Sequence, residues 1–282
     1  MVQIVRFFLR NFLLIFGLSL ALGIAVYIGS AFMTPVYRAE VLVVPAEEAD
    51  GSALSAMLSN FGGIGRFAGL GGAGPSRKDE ALAMLRSRSF VSGFMKANNA
   101  FEVLYPDAWD SAAGEWKADR PVPSEQDRYL KFVESVLRVA EDKQTGIIRV
   151  AIDLNDRVVA SQWANEVVRL LNEKFREYVA SEAQRSTEYL YNELETASSV
   201  ELRQVIHRLI ETQIQTIMLT NVRKDFVFRV IDPAVAPDAD FYVAPKRALL
   251  VFAGLVVGGF LGLGIALLVE ALRAARRAEA VS

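Results

Sequence analysis

The chain has 282 residues, 52% hydrophobic and 23% charged, with a formal net charge of −2, one histidine and no cysteine. A charge balance so close to zero is not that of a nucleic-acid binder or a polybasic lipid reader. Without cysteine there can be no disulfide, thiolate metal site or Cys–His nucleophile, and the compartment is left open.

Arg6 and Arg10 precede an uncharged run over 11–33, and the next charge is Arg38. The run exceeds the ~7–15 apolar residues of a signal-peptide core, so it reads as an uncleaved membrane anchor with its basic end in the cytoplasm. A second uncharged run covers 248–269, followed by Arg273, Arg276 and Arg277. It is long enough to cross a hydrocarbon core of about 30 Å as a helix. The expected organisation is a cytoplasmic N-terminus (1–10), a first span (11–33), an outer domain (34–246), a second span (247–269) and a cytoplasmic tail (270–282).

Within the outer segment, 36–44 (VYRAEVLVV) reads as a strand ending at Pro45, and 225–231 (DFVFRVI) as another. Both abut a span, so they are expected to share one membrane-proximal sheet. The glycine-rich stretch from Gly62 to Gly74 contains Gly63, Gly65 and Ala68 in the G-x-G-x-x-A spacing. The segment before it is helix-like, not strand-like, so a loop or a subunit-facing surface is the better reading than a dinucleotide site. The pattern over 77–98 predicts one amphipathic helix, Ser124 opens another through about Leu137, and 147–153 reads as a third strand.

No glycine or proline occurs between Ile147 and Asp232. Apolar residues at helical spacing predict a helix over 155–197, about 64 Å long, with a polar middle over 180–188. Ser198 with Glu201 fits a capping box opening a second helix over 199–220. Pro233, Pro237 and Pro245 then make a stiff extended collar before the second span. Two stripes of small residues, Gly17, Ala21, Ala25 and Gly29 in the first span and Gly254, Gly258, Gly262 and Ala266 in the second, suit close helix packing in lipid.

Catalytic chemistry is not expected. His207 stands alone on a helical pattern, nothing nearby resembles a nucleophile turn, and 69–78 does not fit the phosphate-loop motif. Acidic residues fall at helical spacings beside Arg and Lys, as on a solvated, ion-paired face. No catalytic residue, metal or cofactor is predicted.

The order of features is itself informative: a basic start, span and strand, the segment ALAMLRSRSFVSGFMKANNAFEVLYPDAWD, a long helical region, then VELRQVIHRLIETQIQTIMLTNVRKDFVFRVIDPAVAP, a proline collar and a glycine-rich span. This resembles the Wzz-type polysaccharide co-polymerases, most specifically over 211–237 and 245–262. The resemblance implies an α+β fold, in which two transmembrane helices flank a periplasmic domain with a membrane-proximal mixed sheet and a long projecting helix. It implies a ring-like homo-oligomer in the bacterial inner membrane and no enzymatic activity. It also implies a role in setting the modal length of O-antigen made on lipid-linked precursors by a separate Wzy-type polymerase. The alternative is a co-polymerase for capsule or exopolysaccharide. Here the collar lacks a proline over 238–244, where Phe241 and Tyr242 stand, and the outer domain is short for the family. A two-span receptor and a glycan hydrolase are the competing classes. The tail carries no Walker motif or tyrosine cluster, which sets aside the kinase-fused branch.

Overall fold

The structure, a computed structural model, describes residues 2–46, 76–223 and 225–279, with side chains between 12 and 269. The glycine-rich stretch and its dinucleotide-like spacing lie outside the described residues. The chain forms two compact units, Met1–Tyr37 with Asp238–Ser282, and Arg38–Pro237.

The first unit is a pair of long helices, α1 (Val2–Ala31) and α8 (Arg247–Glu279), packed on each other. Both are long and apolar enough to cross a membrane, over Phe12–Ala31 and Arg247–Val269. Away from their seam they present Leu13, Ile24, Ile28, Phe252 and Phe260 to the surroundings. In water, so large an apolar surface would be a liability. In lipid it is the required exterior, because each helix satisfies its own backbone.

The second unit is built on a sheet of order β4 (Leu137–Glu141), β5 (Ile148–Leu154), β1 (Val36–Pro45), β6 (Phe228–Asp232). β1 and β6 pair antiparallel, Val44 opposite Arg229 and Pro45 opposite Phe228, so the two span-adjacent strands share one sheet as their patterns predict. The first residues of β1, Val36 and Tyr37, belong to the helical unit and pair with the short β7 (Tyr242–Ala244). The collar therefore contains a strand, lying between its second and third prolines, where proline costs it no ladder bond.

In β1, Ala39, Val41 and Val43 are buried while Arg38 and Glu40 are exposed and Leu42 is half-buried, the period-two alternation of a half-covered sheet. Against this sheet pack α2 (Arg77–Leu85), α3 (Arg88–Ala97) and the first half of α6 (Arg157–Thr196). Phe94 sits at the centre of the core, its ring 5.4 Å from Phe132 and edge-on to Trp163 at 5.6 Å. Removing such a ring costs about 3–5 kcal/mol.

Two expected helices are cut or shortened. The 77–98 segment is two helices, because the Ser87 hydroxyl caps α3 by accepting from the Phe90 N–H. Between α3 and the next segment comes the short α4 (Ala100–Leu104), entered through Asn99 in the left-handed conformation (φ 49°). The helix opened by Ser124 is α5 (Glu125–Lys131), with a complete capping box to Asp127. It widens into a π-turn over Phe132–Val136, and Leu137 already belongs to β4, which pairs with β5 as a hairpin. The long helix runs as expected, from its Asp156 cap straight through the polar middle. Its successor α7 (Val200–Val222) is capped by Ser199, not Ser198, and folds back along α6. The serine one position later has the extended backbone and reaches the Leu202 N–H, so the cap has no Glu201 partner.

Candidate functional site

The sequence-predicted small residues of α8 lie at the seam with α1. Gly254, Gly258, Gly262 and Ala266 are all buried along one face of α8. A Cβ added at Gly258 would stand 2.6 Å from the Ser19 Cα, and one at Gly262 would stand 2.8 Å from the Ile15 Cα. Backbone thus meets backbone, which only glycine permits. Gly254 faces Val26, Gly23 faces Leu255, and the Ser19 hydroxyl donates to the Leu255 carbonyl at 2.6 Å. The stripe of the first span lies elsewhere. Gly17, Ala21, Ala25 and Gly29 are exposed, and a Cβ at Gly17 or Gly29 would meet nothing within 4 Å. Within the chain α1 meets α8 through Ile15, Ser19, Leu22, Gly23 and Val26. The missed signal was Ser19, whose hydroxyl needs a partner in lipid.

The collar prolines lie on the return segment from β6. Pro233 is exposed, Pro237 and Pro245 half-buried, and the Pro237 carbonyl accepts from Arg157 at 3.4 Å. The segment is held chiefly by two asparagines of α6, seven residues apart. Asn172, buried, accepts from the Val227 and Phe228 N–H groups (3.0 and 2.9 Å) and donates to the Phe228 carbonyl at 2.8 Å. Asn165 accepts from the Ala234 N–H and donates to the Ala234 carbonyl, both at 2.9 Å. Each side-chain amide copies a peptide group and closes the edge of the 227–234 segment. Sequence reading passed over both, because an asparagine on a helical pattern looks like surface.

One buried charge supports the sheet. Asp153 takes a two-pronged contact from Arg38, 2.7 Å at each oxygen, and a third from Arg138 at 3.4 Å. The hydrogen bond to Asp153 holds the Arg38 guanidinium above its usual range. Elsewhere the charges pair along α6, as with Arg169 between Glu166 and Glu173. His207 is exposed on α7, and no three His, Asp or Glu side chains converge on a metal position among the described residues.

A second constellation lies where α3, α4 and α5 meet a small hairpin, β2 (Trp109–Asp110) with β3 (Glu115–Trp116). Trp109 and Trp116 are edge-to-face at 5.0 Å, and Phe101 lies 5.3 and 5.4 Å from them. The Arg128 guanidinium covers Phe101 and Trp116 at 5.5 and 5.7 Å, and Arg88 covers Tyr129 at 5.4 Å. The Lys131 ammonium lies 4.0 Å over the Tyr105 ring and donates to the Leu104 carbonyl. Burial pushes the Lys131 amine below its usual range and the Tyr105 hydroxyl above its own. Beside this cluster, between α3 and α5, is a groove of about 240 Å³ lined by Arg88, Lys96, Phe101, Glu125, Arg128 and Tyr129 among others.

No protein-family model matches the chain, and no curated protein matches it in sequence. Solved structures do. The chain is similar to a full-length bacterial polysaccharide co-polymerase. The two are 13% identical, with a TM-score of 0.41, over 97% of this chain and 98% of the other. A fragment of WzzB, a polysaccharide co-polymerase from Salmonella Typhimurium, is 14% identical with a TM-score of 0.29, over 73% of this chain and 98% of the fragment.

Proposed function

We propose that the chain is a non-enzymatic, inner-membrane regulator of polysaccharide chain length, which sets the modal length of O-antigen made by a separate Wzy-type polymerase. The observation that carries this reading is the division of labour in the chain. Two apolar helices are sealed on each other through glycine, and the intervening residues build one sheet-based domain with a long helix pair. That frame, with the pattern over 211–237 and 245–262, is what a scaffold beside a polymerase requires. Both termini lie in the cytoplasm and the domain in the periplasm.

The chain assembles as a homo-oligomer around the growing, lipid-linked polymer. Ile214, Met218 and Val222 support this: they repeat at four on α7 and are 40, 61 and 80% exposed, a stripe left uncovered among the described residues. Length is set because the assembly binds some polymer or polymerase states more tightly than others, which changes how long a chain stays engaged.

The test is a gel ladder of surface polysaccharide from deletion and complemented strains. Deletion leaves polymer present but removes the modal cluster of long chains. An unaltered ladder overturns the reading, and complete loss of polymer points instead to capsule or exopolysaccharide assembly and export. Reporter fusions at residues 3 and 282 read cytoplasm and one at Ser111 reads periplasm. An exported reporter at residue 282 contradicts the two-span topology.

A further inference from the structure

We propose that the groove between α3 and α5 is a binding site for a carboxylate-bearing sugar residue of an anionic polysaccharide. The proposal rests on the functional reading above and names the chemistry that the domain recognises. Three cations, Arg88, Lys96 and Arg128, line the groove against one carboxylate, Glu125. Among the described residues none of the four takes part in an ion pair. The excess positive charge of the groove is therefore not neutralised by ion pairing among them.

The arginines are also held in place. Arg88 lies over Tyr129 and Arg128 over Phe101 and Trp116, at cation–π distance, and one nitrogen of Arg128 is tied to the Pro123 carbonyl at 3.0 Å. Guanidinium edges held in this way suit the two-pronged geometry of a carboxylate, at little further entropic cost.

The remaining wall distinguishes a sugar from a bare anion. Phe101 and Tyr129 are half-buried, with apolar ring surface in the groove. The Tyr129 hydroxyl is occupied, donating to the Arg86 carbonyl at 2.8 Å, so the ring contributes its apolar body. A pyranose has both an apolar C–H face for such rings and hydroxyls for Glu125 to accept. Phosphate has no apolar face, and Glu125 would repel its charge. At about 240 Å³ the groove is smaller than the ~300–1,000 Å³ sites of drug-sized ligands and suits one sugar unit with its chain running on past the opening.

Calorimetric titration of the full chain in nanodiscs tests this, with oligogalacturonate, neutral dextran oligomers and inorganic phosphate as probes. Oligogalacturonate binds and weakens as salt is raised. The double variant Arg88→Gln with Lys96→Gln, both exposed positions, weakens it at least tenfold at an unchanged melting temperature. Dextran and phosphate bind at least tenfold more weakly than oligogalacturonate. Absence of oligogalacturonate binding, binding unchanged in the double variant, or equal binding of phosphate or dextran overturns the proposal. The two readings fail separately. An unchanged ladder on deletion with oligogalacturonate still bound removes length control and leaves the site. A redistributed ladder without oligogalacturonate binding does the reverse.

Discussion

The chain contains two antiparallel helix pairs that close by opposite means. α1 and α8 meet on Gly254, Gly258 and Gly262, with the backbones of Ile15 and Ser19 against them and large apolar side chains turned outward. α6 and α7 meet in their distal half on Ile206 and Ile210 with Leu190, Leu194 and Ala197, and turn mainly Glu, Arg and Gln outward, with Tyr189, Tyr191 and Val205 among them. The difference follows from the solvent. In water, burying branched side chains is the driving force, so the seam is filled with them. In hydrocarbon that force is absent, and attraction comes from close packing and polar contacts such as Ser19 to the Leu255 carbonyl, which require small residues at the seam.

The largest effect is expected from forcing the lipid-type seam to accept water-type residues. Gly258→Leu with Gly262→Leu drives side chains into the backbone of α1 and separates the helices. Because the chain has no cysteine, the pair Ser19→Cys with Gly259→Cys reports the seam cleanly. It crosslinks in the parent chain and not when both leucines are present. A retained crosslink contradicts the close backbone approach.

Next is the asparagine that ties α6 to the return strand. Asn172→Ala leaves two buried N–H groups and one carbonyl without partners, at about 1–3 kcal/mol each before any water enters. A loss of about 3 kcal/mol in chemical denaturation is expected. A loss below about 1 kcal/mol shows that the clamp is incidental.

The distal water-type seam is smaller and should fail locally. Ile206→Ala or Ile210→Ala costs about 2 kcal/mol, the low end of core truncations. Amide exchange should quicken over 187–212 while the sheet stays protected. Equal quickening in both would show that the helix pair is part of the main cooperative unit.

The smallest effect belongs to the outward stripe of α1. Gly17→Ala and Gly29→Ala meet open space and leave the Ser19–Gly259 crosslink unchanged. Either change abolishing the crosslink would place that stripe in the seam within the chain.

Much of the frame was legible from pattern. The spans, the long helix, β1 and β6 all follow from runs or periods that local sequence alone imposes. What escaped reading depends on contacts distant in the chain. Leu137 read as the end of a helix, and only pairing with β5 makes 137–141 a strand. The break at Ser87 depends on a cap that the apolar period conceals. In α1 the glycine and alanine stripe was visible, but which face meets α8 is decided by Ile15, Ser19 and Val26. Asn165 and Asn172 read as polar helix surface, and only the path of the 227–234 segment makes them structural. The groove residues are spread from Arg88 to Tyr129, each with an ordinary local role.

The most direct test of the length-control account shortens the helix pair without unseating it. Ala180 on α6 lies near Thr220 and Asn221 on α7, and Leu190 near Leu209, so residues 184–215 form a level outer piece. The deletion strain is complemented with a chain in which a short turn replaces 184–215, and its surface polysaccharide is resolved as a ladder. The account predicts polymer in normal amount with its modal length shifted or lost. A ladder matching that of the full-length chain, or no polymer at all, contradicts it.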